Sequence, residues 1–157
     1  NCYKDISYVD DNSLDSCFLF HVLEHFEDPI YHLESIKPKL ASGGKIIIEV
    51  PHARDFLIKD LNIQEFINFT LWSQHLILHT RESLEKFLLA SGYKNISIHG
   101  TQRFSIANHM QWAKDKTPGG HRSDIAKIET SELTQAYEKT LDIIDATDTL
   151  IAIAEKS

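Results

Sequence analysis

A strand–helix–strand pattern near the start of the chain constrains the fold more than any other feature. Its first part is the apolar run Cys17–Phe20, which is typical of a strand covered on both faces in a parallel sheet. A helix is predicted to begin at Asp28-Pro29, because Asp caps helix N-termini and Pro is tolerated at the first helical position. Pro38 is expected to kink or close this helix, and Gly43-Gly44 to stop it. The β-branched run Lys45–Val50 then predicts a second strand.

The rest of the chain continues the alternation of strands and helices, with no internal repeat or linker. The parallel crossover between the first two strands is expected to be right-handed. Two more strands are predicted, at Asn95–His99 and Leu150–Ala154. Helices are predicted in four places: one or two irregular ones in 55–78, one capped by Thr80, and one each in 106–114 and 131–145. This pattern indicates one α/β domain over residues 1–157.

Composition limits the classes of function. The chain has 157 residues, 42% of them hydrophobic, so it can build a core, and its formal net charge of −7 argues against a nucleic-acid partner. No apolar run approaches the ~20 residues that cross a bilayer. The N-terminus lacks the basic-then-apolar pattern of a signal peptide. Cys2 and Cys17 are the only cysteines, which excludes a disulfide scaffold and is consistent with a cytoplasmic location.

Two polar segments follow the first two predicted strands: His21-Val22-Leu23-Glu24-His25 and Pro51-His52-Ala53-Arg54. Ligands in such sheets lie at the carboxyl ends of strands. The first segment also matches the H-x-x-E-H pattern of zinc peptidases, in which two His and one Glu serve zinc chemistry. That motif belongs inside a long helix, whereas here it directly follows a strand, so no metal site is predicted. Alternatively, the two histidines only line the turn and Glu24 faces solvent.

Other candidate residues are isolated in the sequence. The glycines form no nucleotide-binding loop and no G-x-S-x-G is present. Cys17 is expected to be inert packing. His75 is either a candidate site residue or an ordinary structural histidine, and Arg103 and His109 either bind a polar or anionic substrate or join loops.

Four segments, taken in order, resemble Rossmann-type (class I) S-adenosylmethionine-dependent methyltransferases. Residues 11–29, D-N-S-L-D-S-C-F-L-F-H-V-L-E-H-F-E-D-P, are similar to that family's "D-N-S-F-D…HVLEH…DP" segment. Residues 36–51 resemble its "L-K-P-G-G-x-L-I-I-E-V-P" segment, and residues 80–93 its "T-x-E-S-L…A-G-F" helix. The tail, with Gln102-Arg103-Phe104 and Pro118-Gly119-Gly120-His121, is similar to one bacterial subgroup.

The resemblance implies a C-terminal half of such an enzyme, without the first strand and its glycine-rich cofactor loop. The implied fold is a partial doubly wound Rossmann-like sheet of about four strands, mostly parallel with a C-terminal antiparallel pair, flanked by helices. The implied cofactor is S-adenosylmethionine. The resemblance and the strand ends assign Phe20, His21 and Val22 to the cofactor. They make His21, His25 and His75 candidates for the catalytic base. The candidate substrate residues are Glu24 and His52 on the same grounds, and Arg103 and His109 from their residue types.

The expected activity is methyl transfer to a small molecule or an envelope-type glycoconjugate, as part of a longer enzyme, with this fragment inactive alone. The chain begins at Asn1 and its only methionine is Met110, so we expect a processed N-terminus or an excised piece. The alternative is a non-catalytic interaction module that keeps the half-fold. Without the first half, the edge of the first strand should pair with a second copy through Asp15–Leu23, unless Tyr3–Val9 folds back over it.

Overall fold

The computed structural model describes residues 4–72 and 74–157. Its sheet has four strands, β1 (Leu14–Phe20), β2 (Leu40–Pro51), β3 (Tyr93–Thr101) and β4 (Thr149–Lys156), in the order β1-β2-β4-β3. β1 and β2 are parallel, and β4 is antiparallel to both β2 and β3. Three strands therefore run in one direction and β4 runs against them, which confirms the predicted sheet with its C-terminal antiparallel pair.

Six α-helices in the described residues connect or flank the strands. They are α1 (Pro29–Ile36), α2 (Phe56–Lys59), α3 (Gln64–Thr70), α4 (Arg81–Ala90), α5 (Ile106–Asp115) and α6 (Ser131–Ile143). Within the described ranges, none of the helices has the length and apolarity that a membrane crossing requires. The predicted helix positions are confirmed, including the pair of short helices between β2 and α4.

Side chains next to the first turn of α1 and of α4 explain where these two helices begin. The Asp28 carboxylate accepts a hydrogen bond from the Tyr31 N–H at 3.0 Å, as an N-cap does. At α4, the side chains of Thr80 and Ser83 cap each other's backbone N–H groups, which is a reciprocal capping box. Each cap satisfies backbone donors that have no partner within the helix.

The predicted end of the first helix at Gly43-Gly44 is wrong. α1 ends at Ile36, a single 3₁₀ turn containing Pro38 follows, and both glycines lie inside β2. Proline lacks the N–H that a helix interior needs, so it closes the helix earlier. Gly44 instead permits a close approach, because a Cβ there would lie 3.0 Å from the Leu14 carbonyl oxygen, beside the register shift between β1 and β2.

One face of the sheet carries the main core. Alternate residues of β2, including Ile46 and Ile48, are fully buried there together with Leu33 of α1 and Leu84 of α4. Packing against the two helices removes this apolar surface from water, which is the main stabilising contribution to the fold.

The opposite face is open at β1. Phe18 and Phe20 are 57% and 55% exposed, with ring centroids 5.5 Å apart. The prediction that Cys17–Phe20 is covered on both faces is therefore wrong for this chain. Cys17 and Leu19 turn toward the core, but no described element packs over the two phenylalanines, because their side of the strand has no helix layer.

A buried histidine makes the stability of the fold depend on pH. His79 is fully buried, neither ring nitrogen has a hydrogen-bond partner, and its ring packs edge-on against Phe87. Burial lowers the pKa of His79 from 6.5 to about 4. Below pH 6.5 His79 binds a proton in the unfolded chain, whereas in the folded chain it stays neutral down to about pH 4. The free energy of unfolding therefore decreases as the pH falls through this range.

Replacing His79 by leucine should remove this loss. We expect His79→Leu to reduce the destabilisation between neutral pH and pH 4 by about 3 kcal/mol, which corresponds to the lowering of the pKa. Urea unfolding at a series of pH values measures it. His121→Ala, at an exposed position, is the control and should keep the wild-type slope. Equal slopes for His79→Leu and wild type would contradict the prediction.

Candidate active site

A cavity of about 680 Å³ opens where β1 and β2 end and β4 begins. His21 directly follows β1, Pro51 ends β2 and Thr149 starts β4, so the antiparallel strand brings its first residues to the same edge. Four aromatic side chains dominate the lining: Phe66, Phe69, Trp72 and Phe104. Such a largely apolar cavity with a few polar groups is the usual form of a small-molecule site.

His21 is the polar residue at the centre of the cavity rim. Its backbone is left-handed, with φ of 52°, and its N–H donates to the Glu49 carbonyl at 2.9 Å. The ring Nε2 lies 3.0 Å from Glu49 Oε1 and also contacts the Arg103 guanidinium, while Nδ1 lies 3.3 Å from Glu24 Oε1. The Glu49 carboxylate and the Arg103 guanidinium thus hold the ring beside the cavity, with the Glu24 carboxylate close to its other nitrogen. A histidine held in this way can take or release a proton at the rim.

His25 and His75 lie next to each other, although 50 positions separate them in the sequence. Their ring centroids are 4.9 Å apart, and His75 lines the cavity. His25 Nδ1 lies 2.6 Å from the Gln74 carbonyl and His75 Nδ1 lies 2.8 Å from the Thr70 carbonyl. The structure thus brings the three predicted catalytic histidines, His21, His25 and His75, around Glu24.

Glu24 is fully buried rather than solvated. Its backbone carbonyl accepts the N–H groups of Leu76 and Ile77, at 2.9 and 3.3 Å. Neither side-chain oxygen has a hydrogen-bond partner. The alternative in which Glu24 faces solvent is wrong, since the segment that follows α3 covers it.

Among the predicted substrate residues, the structure brings only Arg103 to the cavity lining. His52 is 1% exposed, and its Nδ1 lies 2.9 Å from the Thr147 carbonyl; burial lowers its pKa. His109 is 3% exposed, and its Nδ1 lies 2.6 Å from the Tyr137 hydroxyl; burial lowers its pKa to about 4. His52 thus joins the end of β2 to the segment before β4, and His109 joins α5 to α6; neither lines the cavity.

The predicted cofactor residues sit at the end of β1. Phe20 is exposed on the uncovered face and pairs with Glu49 across the sheet, and Val22 packs partly into the core. Of this group, His21 alone lines the cavity. The cavity and the uncovered face therefore meet at the left-handed turn of His21.

Sequence reasoning missed three acidic residues. Asp55 and Asp148 line the cavity, and burial raises the pKa of Asp55 to about 7 and also raises that of Asp148. Asp148 accepts hydrogen bonds from the backbone N–H groups of Arg103 and Phe104. Glu49 holds His21. In the sequence, Glu49 stands out only as a single carboxylate within a β-branched strand. Asp55 looks only like a helix cap.

The sequence matches the family model described as "Methyltransferase domain" over residues 9–98, more than half of the chain. The chain belongs to this methyltransferase family, whose cofactor is S-adenosylmethionine. Among curated proteins, none matches the sequence.

Solved structures of similar fold include two SAM-dependent methyltransferases. That of Archaeoglobus fulgidus aligns with a TM-score of 0.58 at 16% identity, over 96% of this chain and 63% of that chain. That of Thermotoga maritima aligns with a TM-score of 0.59 at 13% identity, over 96% of this chain and 59% of that chain. At these identities the likeness is one of fold, and the chain spans about three fifths of the length of both structures.

A third structure of similar fold is a methyltransferase of Haloferax volcanii in complex with the Trm112 methyltransferase activator. It aligns with a TM-score of 0.57 at 14% identity, over 95% of this chain and 57% of that chain.

Proposed function

We propose that this chain is the C-terminal part of an S-adenosylmethionine-dependent methyltransferase that acts on a small molecule or on a small group of a glycoconjugate. The observation that carries the proposal is the cavity at the carboxyl ends of β1 and β2 in a chain of the methyltransferase family. Ligands of α/β sheets bind at that edge. The aromatic lining suits an acceptor with an apolar body, and Arg103 offers a donor for a polar or anionic group on it.

The end of β1 is where the cofactor would contact this chain. The exposed ring of Phe20 and the left-handed turn at His21-Val22 leave an open surface beside the cavity. That surface fits the methionine part of S-adenosylmethionine, which supplies an electrophilic methyl group. No glycine-rich loop for the rest of the cofactor occurs in the sequence. Binding of the whole cofactor therefore needs residues beyond these.

The remaining task of this chain is to orient the acceptor and take up its proton. Methyl transfer is an in-line displacement, so positioning contributes most and a base adds to it. Of the three histidines, His21 is placed best for the base, because it lines the cavity and contacts Glu49 and Arg103. Glu49 and Arg103 act on His21 as positioning residues, and neither His52 nor His109 lines the cavity.

The affinity of the isolated chain for the cofactor tests the proposal that part of the cofactor site lies outside these 157 residues. The 157-residue chain alone should bind S-adenosylmethionine weakly or not at all, because the glycine loop is not among its residues. Isothermal titration calorimetry measures this. The control is the product of the full gene, which should bind and transfer methyl groups. A micromolar dissociation constant for the chain alone would contradict the proposal that the cofactor needs further residues.

The same measurement distinguishes the methyltransferase from the second candidate function, a non-catalytic interaction module. A non-catalytic interaction module is favoured by one observation, the lack of a glycine-rich loop in a chain that covers three fifths of its structural neighbours. If the full gene product also fails to bind S-adenosylmethionine, the module is the better description. We further propose a cytoplasmic location and self-association through β1.

A further inference from the structure

The turn after β1 and the segment between α3 and α4 bring one carboxylate and two imidazoles together. Glu24, His25 and His75 each offer a ligand atom, and these three atoms lie within 4.8 Å of one another. Glu24 is fully buried, and neither of its carboxylate oxygens has a hydrogen-bond partner among the described residues. A buried carboxylate without hydrogen bonds is costly, so this arrangement requires a positively charged partner.

Both imidazoles are oriented as metal ligands. His25 Nδ1 lies 2.6 Å from the Gln74 carbonyl oxygen, and His75 Nδ1 lies 2.8 Å from that of Thr70. A carbonyl oxygen only accepts hydrogen bonds, so each ring donates its Nδ1–H and carries its lone pair on Nε2. Histidines that bind metals almost always donate their other N–H in this way, which fixes the tautomer and aims the ligand atom.

The separation between ligand atoms suits a single ion. His25 Nε2 lies 3.9 Å from Glu24 Oε1, which is too long for a hydrogen bond. Ligands that are each about 2.0–2.2 Å from one Zn²⁺ ion lie about 3–4 Å from each other. The gap between the carboxylate and the imidazole is therefore the size that an ion between them would leave.

The backbone holds the two ligand-bearing segments together. The N–H groups of Leu76 and Ile77 donate to the Glu24 carbonyl, and the Gln74 carbonyl accepts from His25. Together these backbone and side-chain hydrogen bonds place His75 beside Glu24 and His25. The ligand set is thus preorganised, which is what a metal site needs for high affinity.

His21 does not take the place of a cation here. Its Nδ1 lies 3.3 Å from Glu24 Oε1, but its Nε2 faces Glu49 and Arg103 on the other side. Glu24 Oε2 is left without any partner. The zinc-peptidase pattern, with His21 and His25 one helical turn apart, also fails, because a 3₁₀ turn spans Leu23–His25. The third ligand is His75, which no spacing within the motif could indicate.

We propose that Glu24, His25 and His75 bind a Zn²⁺ ion through the carboxylate and the two Nε2 atoms. Two histidines and a glutamate are a known ligand set of zinc sites that keep one position open. Imidazole ligands favour zinc over Mg²⁺ or Ca²⁺, which prefer oxygen. Because His75 lines the cavity, the open position would accept an oxygen atom of the methyl acceptor, a step that rests on the proposed function.

Zinc binding is tested on the chain itself, without cofactor or acceptor, so its outcome is independent of methyl transfer. The chain is dialysed against a chelator and titrated with ZnCl₂ by calorimetry, and its melting temperature is recorded with and without Zn²⁺. We expect one equivalent of Zn²⁺ to bind and raise the melting temperature, and Mg²⁺ to have no effect. Absence of stoichiometric Zn²⁺ binding would overturn the proposal.

Two ligand variants and a control complete the test. Glu24→Gln and His75→Gln should each weaken Zn²⁺ binding by more than about 100-fold, the upper range for changing an outer-shell partner. Without metal, Glu24→Gln should melt no lower than wild type, since it removes a buried charge. His121→Ala, at an exposed histidine, should bind Zn²⁺ as wild type does. Equal Zn²⁺ affinity in both ligand variants and wild type would refute the assignment, and His75→Gln decides if Glu24→Gln does not fold.

Discussion

His21→Asn is expected to lower the turnover of the full-length enzyme by about 100-fold or more, the usual contribution of a general base. The His21 ring contacts Glu49 and Arg103 at the cavity rim, so its loss would remove the proposed proton acceptor and release Arg103. Asparagine tolerates the left-handed backbone at φ 52°, whereas alanine would add strain to the turn. The melting temperature should therefore change by only a few degrees.

The pH dependence of turnover distinguishes a base from a merely structural residue. The pH profile of kcat should differ between wild type and His21→Asn, because the variant lacks the proposed general base. His99→Ala, at an exposed histidine on β3, serves as the matched control and should keep both turnover and pH profile. A His21→Asn enzyme with unchanged activity per folded molecule and an unstable fold would assign His21 a structural role.

The fold was predictable because its signals are local. Strand composition and the Asp28 and Thr80 caps each determine the adjacent backbone without any distant partner. The predictions of local structure and burial were wrong where contacts with distant parts of the chain determine the outcome. Gly43-Gly44 reads as a helix stop, yet the helix ends before Pro38 and both glycines lie in β2, where its register with β1 shifts. Phe18 and Phe20 read as buried, but burial needs a covering layer that no local pattern specifies.

The site was harder to predict, for the same reason. The end of β1 predicts a site at His21, and the structure places His21 in the cavity lining. Glu24 is covered by backbone contacts from the segment after α3, which the sequence does not display. His52 also follows a strand end, but its ring turns inward to the Thr147 carbonyl. Asp55 and Asp148 both line the cavity, since the antiparallel β4 begins at that edge. Burial raises the pKa of Asp55, and the charge of Asp148 adds to the increase.

Lysine at both exposed phenylalanines of β1 is expected to abolish self-association of the 157-residue chain. β1 is an edge strand among the described strands, with one neighbour, β2, and its open face presents the two rings. Residues 4–9 donate no backbone hydrogen bond to β1, since Ile6–Tyr8 form a 3₁₀ turn; Tyr3 lies outside the described residues. An unpaired apolar edge is a template for a second copy, and a symmetric dimer closes it.

The magnitude follows from the area that the two rings expose. Burying an aromatic side chain contributes about 1.5–3 kcal/mol, and a symmetric dimer would bury two partly exposed rings from each copy. Phe18→Lys with Phe20→Lys should therefore raise the dimer dissociation constant by at least about 100-fold, equivalent to about 3 kcal/mol. Lysine lowers the size of the net charge of −7, so greater overall repulsion does not explain a loss of pairing.

Sedimentation equilibrium at high micromolar concentration measures the effect, with Leu89→Lys as control. Leu89 is 56% exposed on α4, on the opposite side of the sheet, so its charge should leave the dimer intact. A wild-type chain that stays monomeric would contradict the prediction, as would a dimer unaffected by the double variant. In the longer enzyme that we propose, an upstream half of the fold would cover Phe18. The double variant should then lower the melting temperature, because a lysine would be buried in place of that ring.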